Sequence, residues 1–135
     1  KESSKHRNGK LPIRVMCVLD EFTNLGYIPN FIDRLATCSL MNMNYMILVQ
    51  SIAQIKVMYG DCWKDILCNC DTYVHFQSIS YLDCEYARHM IDDLICVEEI
   101  RYMPINECIV YVRGEKPFWD YIYDVEKHEN YRFIK

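Results

Sequence analysis

The chain has little glycine and proline, with 4 of each among its 135 residues. Such scarcity argues against a low-complexity or disordered chain. Long hydrophobic runs are also missing, since the longest is YMILV at residues 45–49. A membrane-spanning helix needs about 20 apolar residues, so we expect no membrane span. Positive charge is not in excess, because the formal net charge is −4, and the overall charge does not favour nucleic-acid binding.

A sequence motif for phosphate binding is also lacking. A phosphate loop reads G-x-x-x-x-G-K-[ST], because its backbone amides and its lysine hold the phosphates. The nearest stretch, Gly9-Lys10-Leu11, has no glycine five positions before Gly9 and no hydroxyl after Lys10. The chain alone is therefore expected not to cradle a nucleotide in the ordinary way. We expect no cofactor to bind to it by itself.

Cysteine, by contrast, is abundant, with 8 residues. Cys17 and Cys108 lie inside the apolar runs VMCVL and ECIVYV, where a free cysteine acts as a small hydrophobic residue. This pattern predicts that most of the cysteines are reduced core residues of a cytosolic protein. A zinc site is the alternative, with six candidate ligands: Cys62, Cys68, Cys70, His75, Cys84 and His89. The C-x-C spacing at residues 68–70 is not the C-x2-C that structural zinc prefers, so no metal site is predicted.

Apolar strands alternate with helical segments along most of the chain. The predicted strands cover residues 13–19, 44–49, 71–78 and 107–114. The predicted helical segments cover residues 30–38, 51–60, 61–70, 82–92 and 97–104. Near-continuous apolar strands separated by helices are typical of a parallel sheet with helices on both faces. The sequence therefore predicts an α/β fold with three layers, in which the strands form one parallel sheet.

The two ends of the chain differ from its middle. Residues 1–10, KESSKHRNGK, are polar and basic without periodicity, which predicts a flexible arm. Residues 11–135 are predicted to form the domain, with the aromatic and charged tail from Glu115 lying against its body. Aromatic side chains could stack on the bases of a single strand: Trp63, Phe118 and Trp119. Few basic residues lie among them, so packing is the preferred interpretation.

Two of the predicted strands end in polar side chains. The strand at residues 13–19 is followed directly by Asp20 and Glu21, and the strand at residues 44–49 by Gln50. The carboxyl ends of parallel strands meet at one edge of the sheet, where such folds bind their ligands. A carboxylate pair there can order Mg²⁺ through its water shell and polarise an attacking water. The Gln50 amide can sense a phosphate, because it both donates and accepts hydrogen bonds.

Three longer stretches carry a resemblance to a known family. They are VLDEFTNLGYIPNFIDRLATC, ILVQSIAQIKVMYGDCWKDILCNCDTYVHF and MPINECIVYVRGEKPFWDYIYDVEKHENY. Together they closely resemble the carboxy-terminal part of the TraG/TraD-type conjugation coupling proteins, over roughly residues 10–132. These proteins are the type IV secretion ATPases that deliver relaxase-bound DNA to the transfer channel.

The resemblance implies a fold, an activity and partners. It implies a RecA-like P-loop ATPase fold, of which this chain would be the second half, without the phosphate loop. It also implies ATP and Mg²⁺ in the complete parent protein, a hexamer of coupling-protein subunits, and ATP-driven movement of DNA. The parent family is anchored on the cytoplasmic face of the bacterial inner membrane, which implies a cytoplasmic location for this part. The same region of the family recognises the relaxosome protein TraM, which implies a relaxosome protein or a relaxase as partner.

The family's site residues carry over at three positions. Asp20 and Glu21 match its second phosphate-site motif, in which Asp20 would bind Mg²⁺ through water. Gln50 matches its sensor glutamine. The chain departs from the family in lacking the first half with its phosphate loop and membrane anchor. It also has no charge in SLMNMN at residues 39–44, where relatives commonly carry an arginine or another basic residue. The stretch at residues 90–94 is also shorter than in many relatives, as after a deletion.

Two functions of different classes follow. The first is a fragment of a coupling ATPase that contributes Asp20, Glu21 and Gln50 to a split active site and is inactive alone. The alternative is a non-catalytic interaction module that binds a relaxosome or channel protein, with the carboxylates as a relic. Restoration of ATP hydrolysis by the upstream half would distinguish the first from the second.

Overall fold

The computed structural model describes residues 9–91 and 95–134. The chain divides into two compact units, Lys1–Asp71 and Thr72–Lys135. Most of the predicted arm at residues 1–10 lies outside the described residues, as does most of the shortened stretch at residues 90–94.

The first unit is built around two parallel strands. Its elements are β1 (Val15–Leu19), α1 (Phe31–Thr37), β2 (Met43–Ile47), α2 (Ile52–Tyr59) and α3 (Trp63–Cys68). β1 and β2 pair in parallel, from Val15 opposite Met43 to Leu19 opposite Ile47. Each predicted element of this half is present, with bounds shifted by a few residues. The predicted strand–helix–strand order therefore gave the correct local structure and the correct strand direction in this unit.

Residues flanking the helices explain where those helices begin and end. The Ser51 hydroxyl accepts a hydrogen bond from the Ala53 N–H at 3.1 Å, which satisfies a free donor at the start of α2. Gly60 ends α2 with φ 57°, a conformation that glycine adopts without strain. Asn30 precedes α1, but its backbone is left-handed with φ 56° and its side chain makes no capping hydrogen bond.

An aromatic cluster forms the core of the first unit. The Phe22 ring is fully buried, with its centroid 4.9 Å from the Phe31 ring and 5.9 Å from the Tyr59 ring. The Tyr59 hydroxyl accepts a hydrogen bond from the Ile28 N–H at 3.2 Å, and burial raises the pKa of Tyr59. The other buried residues of this unit are Leu35, Ile52, Ile55, Trp63 and Ile66. Burial of Trp63 agrees with the packing interpretation for that residue.

The second unit is built on an antiparallel sheet. Its elements are β3 (Thr72–Phe76), α4 (Tyr81–Ile91), α5 (Val97–Arg101), β4 (Glu107–Val112) and β5 (Phe118–Tyr121). The strand order is β3-β4-β5, and both pairings are antiparallel. The hydrophobic core of this unit joins residues from both helices, β4 and the loop before it: Cys84, Ala87, Ile100, Met103 and Ile109.

The prediction of one parallel sheet is therefore wrong for the second unit. An apolar run such as ECIVYV shows that a strand is buried, but it does not show in which direction the neighbouring strand runs. That direction depends on the path of the connection through α4 and α5, which periodicity does not encode. β5 was not predicted as a strand, because all four of its residues are exposed and show no alternation. It pairs with β4 and is continued by a hydrogen bond from the Ile122 N–H to the Asn106 carbonyl at 2.8 Å.

The cysteines occupy three environments. Cys84 and Cys108 are buried, and burial raises the pKa of both thiols. Three are partly buried: Cys17, Cys38 and Cys70. Three are exposed: Cys62, Cys68 and Cys96. The prediction that most cysteines belong to the core was thus too broad, because a cysteine inside an apolar run can still lie at an exposed helix end.

Two polar side chains are buried in the second unit, one in β3 and one in α4. His75 and Asp83 are each only 4% exposed. The Tyr73 hydroxyl is 3.4 Å from His75 Nδ1, and the Ser78 hydroxyl donates to Asp83 Oδ2 at 3.2 Å. Among the described residues, His75 Nε2 has no hydrogen-bond partner. Burial lowers the pKa of His75, and the nearby Asp83 carboxylate opposes that shift without reversing it.

This lowered pKa predicts that acid destabilises the second unit. As pH falls from 7 through the ordinary histidine pKa of about 6.5, the unfolded chain takes up a proton that folded His75 resists. The free energy of unfolding should therefore decrease, by at most about 1.4 kcal/mol per pH unit for one group. Urea denaturation at pH values between 7 and 5.5 measures this slope. His75→Gln should flatten it, whereas the matched surface variant His128→Gln should keep it; an unchanged slope in His75→Gln would contradict the assignment.

Candidate functional site

The parallel strands of the first unit end at a common edge, and backbone hydrogen bonds continue across it. The Leu48 N–H donates to the Leu19 carbonyl at 3.0 Å. The Phe22 N–H then donates to the Leu48 carbonyl at 2.9 Å. The segment after β1 is in this way held against the segment after β2. Residues that follow the two strands are therefore neighbours, although about thirty positions separate them in the chain.

The three predicted site residues line one pocket at this edge. Its volume is about 220 Å³, and its lining residues are Asp20, Glu21, Leu48, Val49 and Gln50. The two carboxylate side chains and the Gln50 amide are exposed to solvent. The three residues are therefore neighbours in the structure, and their catalytic roles stay predictions.

The backbone holds Glu21 in an unusual conformation. Its φ of 45° and ψ of 49° place it in the left-handed region, which is uncommon for a residue other than glycine. The Glu21 N–H donates to Asp20 Oδ1 at 3.0 Å, and the Asn24 side-chain amide donates to Glu21 Oε2. Phe22, the next residue, is anchored in the aromatic core. The surrounding contacts thus stabilise a strained turn that presents two consecutive carboxylates, a feature that recurs at functional sites.

Sequence reasoning missed Thr23 and Gln54, which link the turn after β1 to Gln50. The Thr23 hydroxyl donates to Gln54 Oε1 at 3.1 Å. Gln54 Nε2 donates in turn to Gln50 Oε1 at 3.4 Å. The available signal was the position of the two glutamines, because Gln50 lies just before the N-cap Ser51 and Gln54 lies in the first turn of α2. Gln54 and Thr23 also line a second pocket of about 300 Å³, together with Ala53 and Val57.

The donor set fits a magnesium ion held mainly by water and phosphate. Mg²⁺ usually keeps several waters and is bound by one or two carboxylates plus substrate phosphates. Asp20 and Glu21 supply two carboxylates on an open pocket, which is this kind of partial site. Within residues 9–91 and 95–134, no group of three or more His, Cys, Asp or Glu side chains is placed to hold a metal ion. The six residues considered for zinc are therefore not gathered into such a group.

No helix in residues 9–91 and 95–134 combines the length and the apolar character that crossing a membrane requires.

Comparison with known proteins identifies a family and a fold. A family model described as the TraM recognition site of TraD and TraG matches residues 14–90. A search of curated proteins gives no match. Among solved structures, the bacterial conjugative coupling protein TrwB in complex with sulphate is similar, with a TM-score of 0.69 and 16% identity over 82% of this chain and 31% of that one.

Nucleotide complexes of the same coupling protein are similar to the same extent. TrwB with the ATP analogue ADPNP has a TM-score of 0.68 and 16% identity, covering 82% of this chain and 31% of that chain. TrwB with ADP and Mg²⁺ has a TM-score of 0.68 and 16% identity, covering 82% of this chain and 30% of that chain. This likeness shows an α/β fold shared with part of these coupling-protein structures. The chain spans less than a third of the length of these proteins.

Proposed function

The chain belongs to the family of the TraM recognition site of TraD and TraG, and on that premise we propose that it supplies half of a split ATPase site. The whole protein would be a coupling ATPase of conjugative type IV secretion, which links relaxosome DNA to the transfer channel. The chain alone is catalytically silent in this proposal. Its proposed location is that of the complete coupling protein, at the cytoplasmic face of the bacterial inner membrane.

One observation carries this proposal: Asp20, Glu21 and Gln50 line a single pocket at the carboxyl edge of two parallel strands. Asp20 would hold Mg²⁺ through its water shell, and Glu21 would polarise the water that attacks the γ-phosphate. Gln50 senses the γ-phosphate through its amide. ATP and Mg²⁺ are the cofactors of the complete protein, since the phosphates themselves need a phosphate loop that this sequence lacks.

The exposed face of the β1–β2 sheet supports the proposal that an upstream half of the motor domain packs against this unit. Met16 is 53% exposed, Val18 59% and Met46 49%. Val18 and Met46 are register partners and lie on the same face. Parallel sheets are normally covered on both faces, so a bare apolar face is unusual. We propose that the upstream half of the motor covers this face, and that other coupling-protein subunits and DNA bind the assembled protein.

Titration calorimetry with Mg²⁺ and ATP tests the split site. The chain alone should give no binding, while an equimolar mixture with the upstream half should bind and hydrolyse ATP. Asp20→Asn and Glu21→Gln are the site variants, and Asp61→Asn, an exposed carboxylate in the same unit, is the control. Binding by the chain alone that disappears in the site variants would show that the pocket works without a phosphate loop. Absence of binding and hydrolysis in the mixture would contradict the proposal.

A second candidate function has support of its own. The matching family model is described as a recognition site for TraM, so the chain is also a candidate interaction module for a relaxosome protein. Its partner would be a relaxosome protein or a relaxase. Saturable binding of such a protein with full retention in Asp20→Asn and Glu21→Gln, together with no restored hydrolysis in the mixture, would favour this function over the first.

A further inference from the structure

We propose that Gln54 is a positioning residue that sets which end of the Gln50 amide faces the pocket. The proposal rests on the proposed function, because it gives the Gln50 amide a role toward a phosphate. The residues that carry it are Thr23, Gln54 and Gln50, which form one chain of hydrogen bonds.

In the structure both hydrogen bonds run in one direction, from Thr23 to Gln54 and from Gln54 to Gln50. The Thr23 hydroxyl donates to Gln54 Oε1, so the oxygen end of the Gln54 amide points toward Thr23. The nitrogen end then points the other way and donates to Gln50 Oε1. An amide carries a donor at one end and an acceptor at the other, so accepting at Oε1 from Gln54 leaves the Gln50 –NH₂ group for the pocket.

This orientation suits an anion. A γ-phosphate oxygen is a strong acceptor and needs a donor, whereas an amide oxygen aimed at it would repel it. Both glutamines remain partly or fully exposed, so without the chain of hydrogen bonds either amide could rotate freely. Gln54 in this way acts on the phosphate only through Gln50. The Gln54 side chain also lines the pocket of about 300 Å³, and it donates to Gln50, which lines the pocket of Asp20 and Glu21.

Gln54→Glu is the sharpest variant, because it keeps the shape and removes the donor. The introduced carboxylate still accepts a hydrogen bond from Thr23, but it has no hydrogen to donate to Gln50. Gln50 must then donate to it, which turns the Gln50 –NH₂ group away from the pocket. In the full-length protein that contains this chain, kcat for ATP hydrolysis should fall by about 10-fold to 100-fold, the effect of one charge-assisted hydrogen bond. KM for ATP should change little, because most binding contacts lie on the phosphate loop.

A double-mutant cycle separates positioning from a structural effect. In a Gln50→Ala background, Gln54→Glu should cause no further loss of kcat, since the amide that it orients is gone. Thr23→Val should lower kcat partially, and Thr23→Ser, which keeps the hydroxyl, should restore it. Additive losses in the cycle, or an unchanged kcat in Gln54→Glu, would overturn the proposal.

Side-chain amide signals in ¹⁵N NMR test the orientation on the chain alone. The Gln50 –NH₂ protons should exchange with water rapidly in the wild type and more slowly in Gln54→Glu, where they donate to the introduced carboxylate. Equal exchange in both would overturn the proposal. The NMR measurement does not need ATP turnover. If the protein proves inactive as an ATPase, the proposed function fails, but the exchange rates still test whether Gln54 orients the Gln50 amide.

Discussion

Phe22→Ala is expected to lower the free energy of unfolding of the first unit by about 3–5 kcal/mol, the usual cost of removing a buried aromatic ring. The Phe22 ring is 0% exposed and lies against the rings of Phe31 and Tyr59. Removing it eliminates both ring contacts and leaves a cavity that the neighbouring side chains fill only in part. A loss of this size is a large fraction of the stability of an ordinary domain.

Urea denaturation followed by the fluorescence of Trp63, which is buried in the same unit, measures this loss. Leu25→Ala is the matched control, because Leu25 lies on the same short turn and is 56% exposed. We expect its effect to stay within about 0.5 kcal/mol. A loss below about 1 kcal/mol for Phe22→Ala would contradict the packing described here.

Replacing Phe22 is also expected to change the position of Glu21 in the pocket. Phe22 follows Glu21 directly, and its N–H is bonded to the Leu48 carbonyl. The core therefore fixes the position of the left-handed turn that presents Glu21. Phe22→Leu, which keeps apolar volume, should preserve folding better than Phe22→Ala and allow the site to be assayed in a folded protein.

Glu21→Gln is expected to lower ATP turnover by about 100-fold to 10,000-fold in the assembly of this chain with its upstream half. In the proposed function Glu21 polarises the attacking water, and an amide of the same shape cannot accept that proton. Nucleotide binding should be retained, because the carboxylate acts in the transition state and not on the bound nucleotide. Asp20→Asn should behave differently and weaken the Mg²⁺-dependent part of nucleotide affinity.

Steady-state hydrolysis and calorimetric titration of the same samples distinguish these two effects. Asp61→Asn serves again as the control, since it removes one exposed carboxylate of the same unit away from the pocket lining. Equal turnover in Glu21→Gln and the wild type would remove Glu21 from the mechanism. Loss of binding and turnover together in Glu21→Gln, with folding intact, would assign it a binding role instead.

The sequence by itself determined the parallel strand pair of the first unit and the edge where those strands end. Apolar runs predicted strands at residues 13–19 and 44–49, close to the observed β1 and β2, and the intervening helix predicted that they pair in parallel. Parallel strands share an edge for geometric reasons, so Asp20, Glu21 and Gln50 could be placed together before any coordinate was known.

Only the tertiary structure decided the rest. The antiparallel direction of β4 depends on how α4 and α5 return the chain, and a short apolar run does not by itself fix the direction of the neighbouring strand. β5 forms because β4 offers it a partner, while its four exposed residues carry no alternating pattern. The link from Thr23 through Gln54 to Gln50 joins residues 31 positions apart. It exists because the core holds the turn after β1 against α2, and a hydrogen bond between distant residues has no signature in a single sequence.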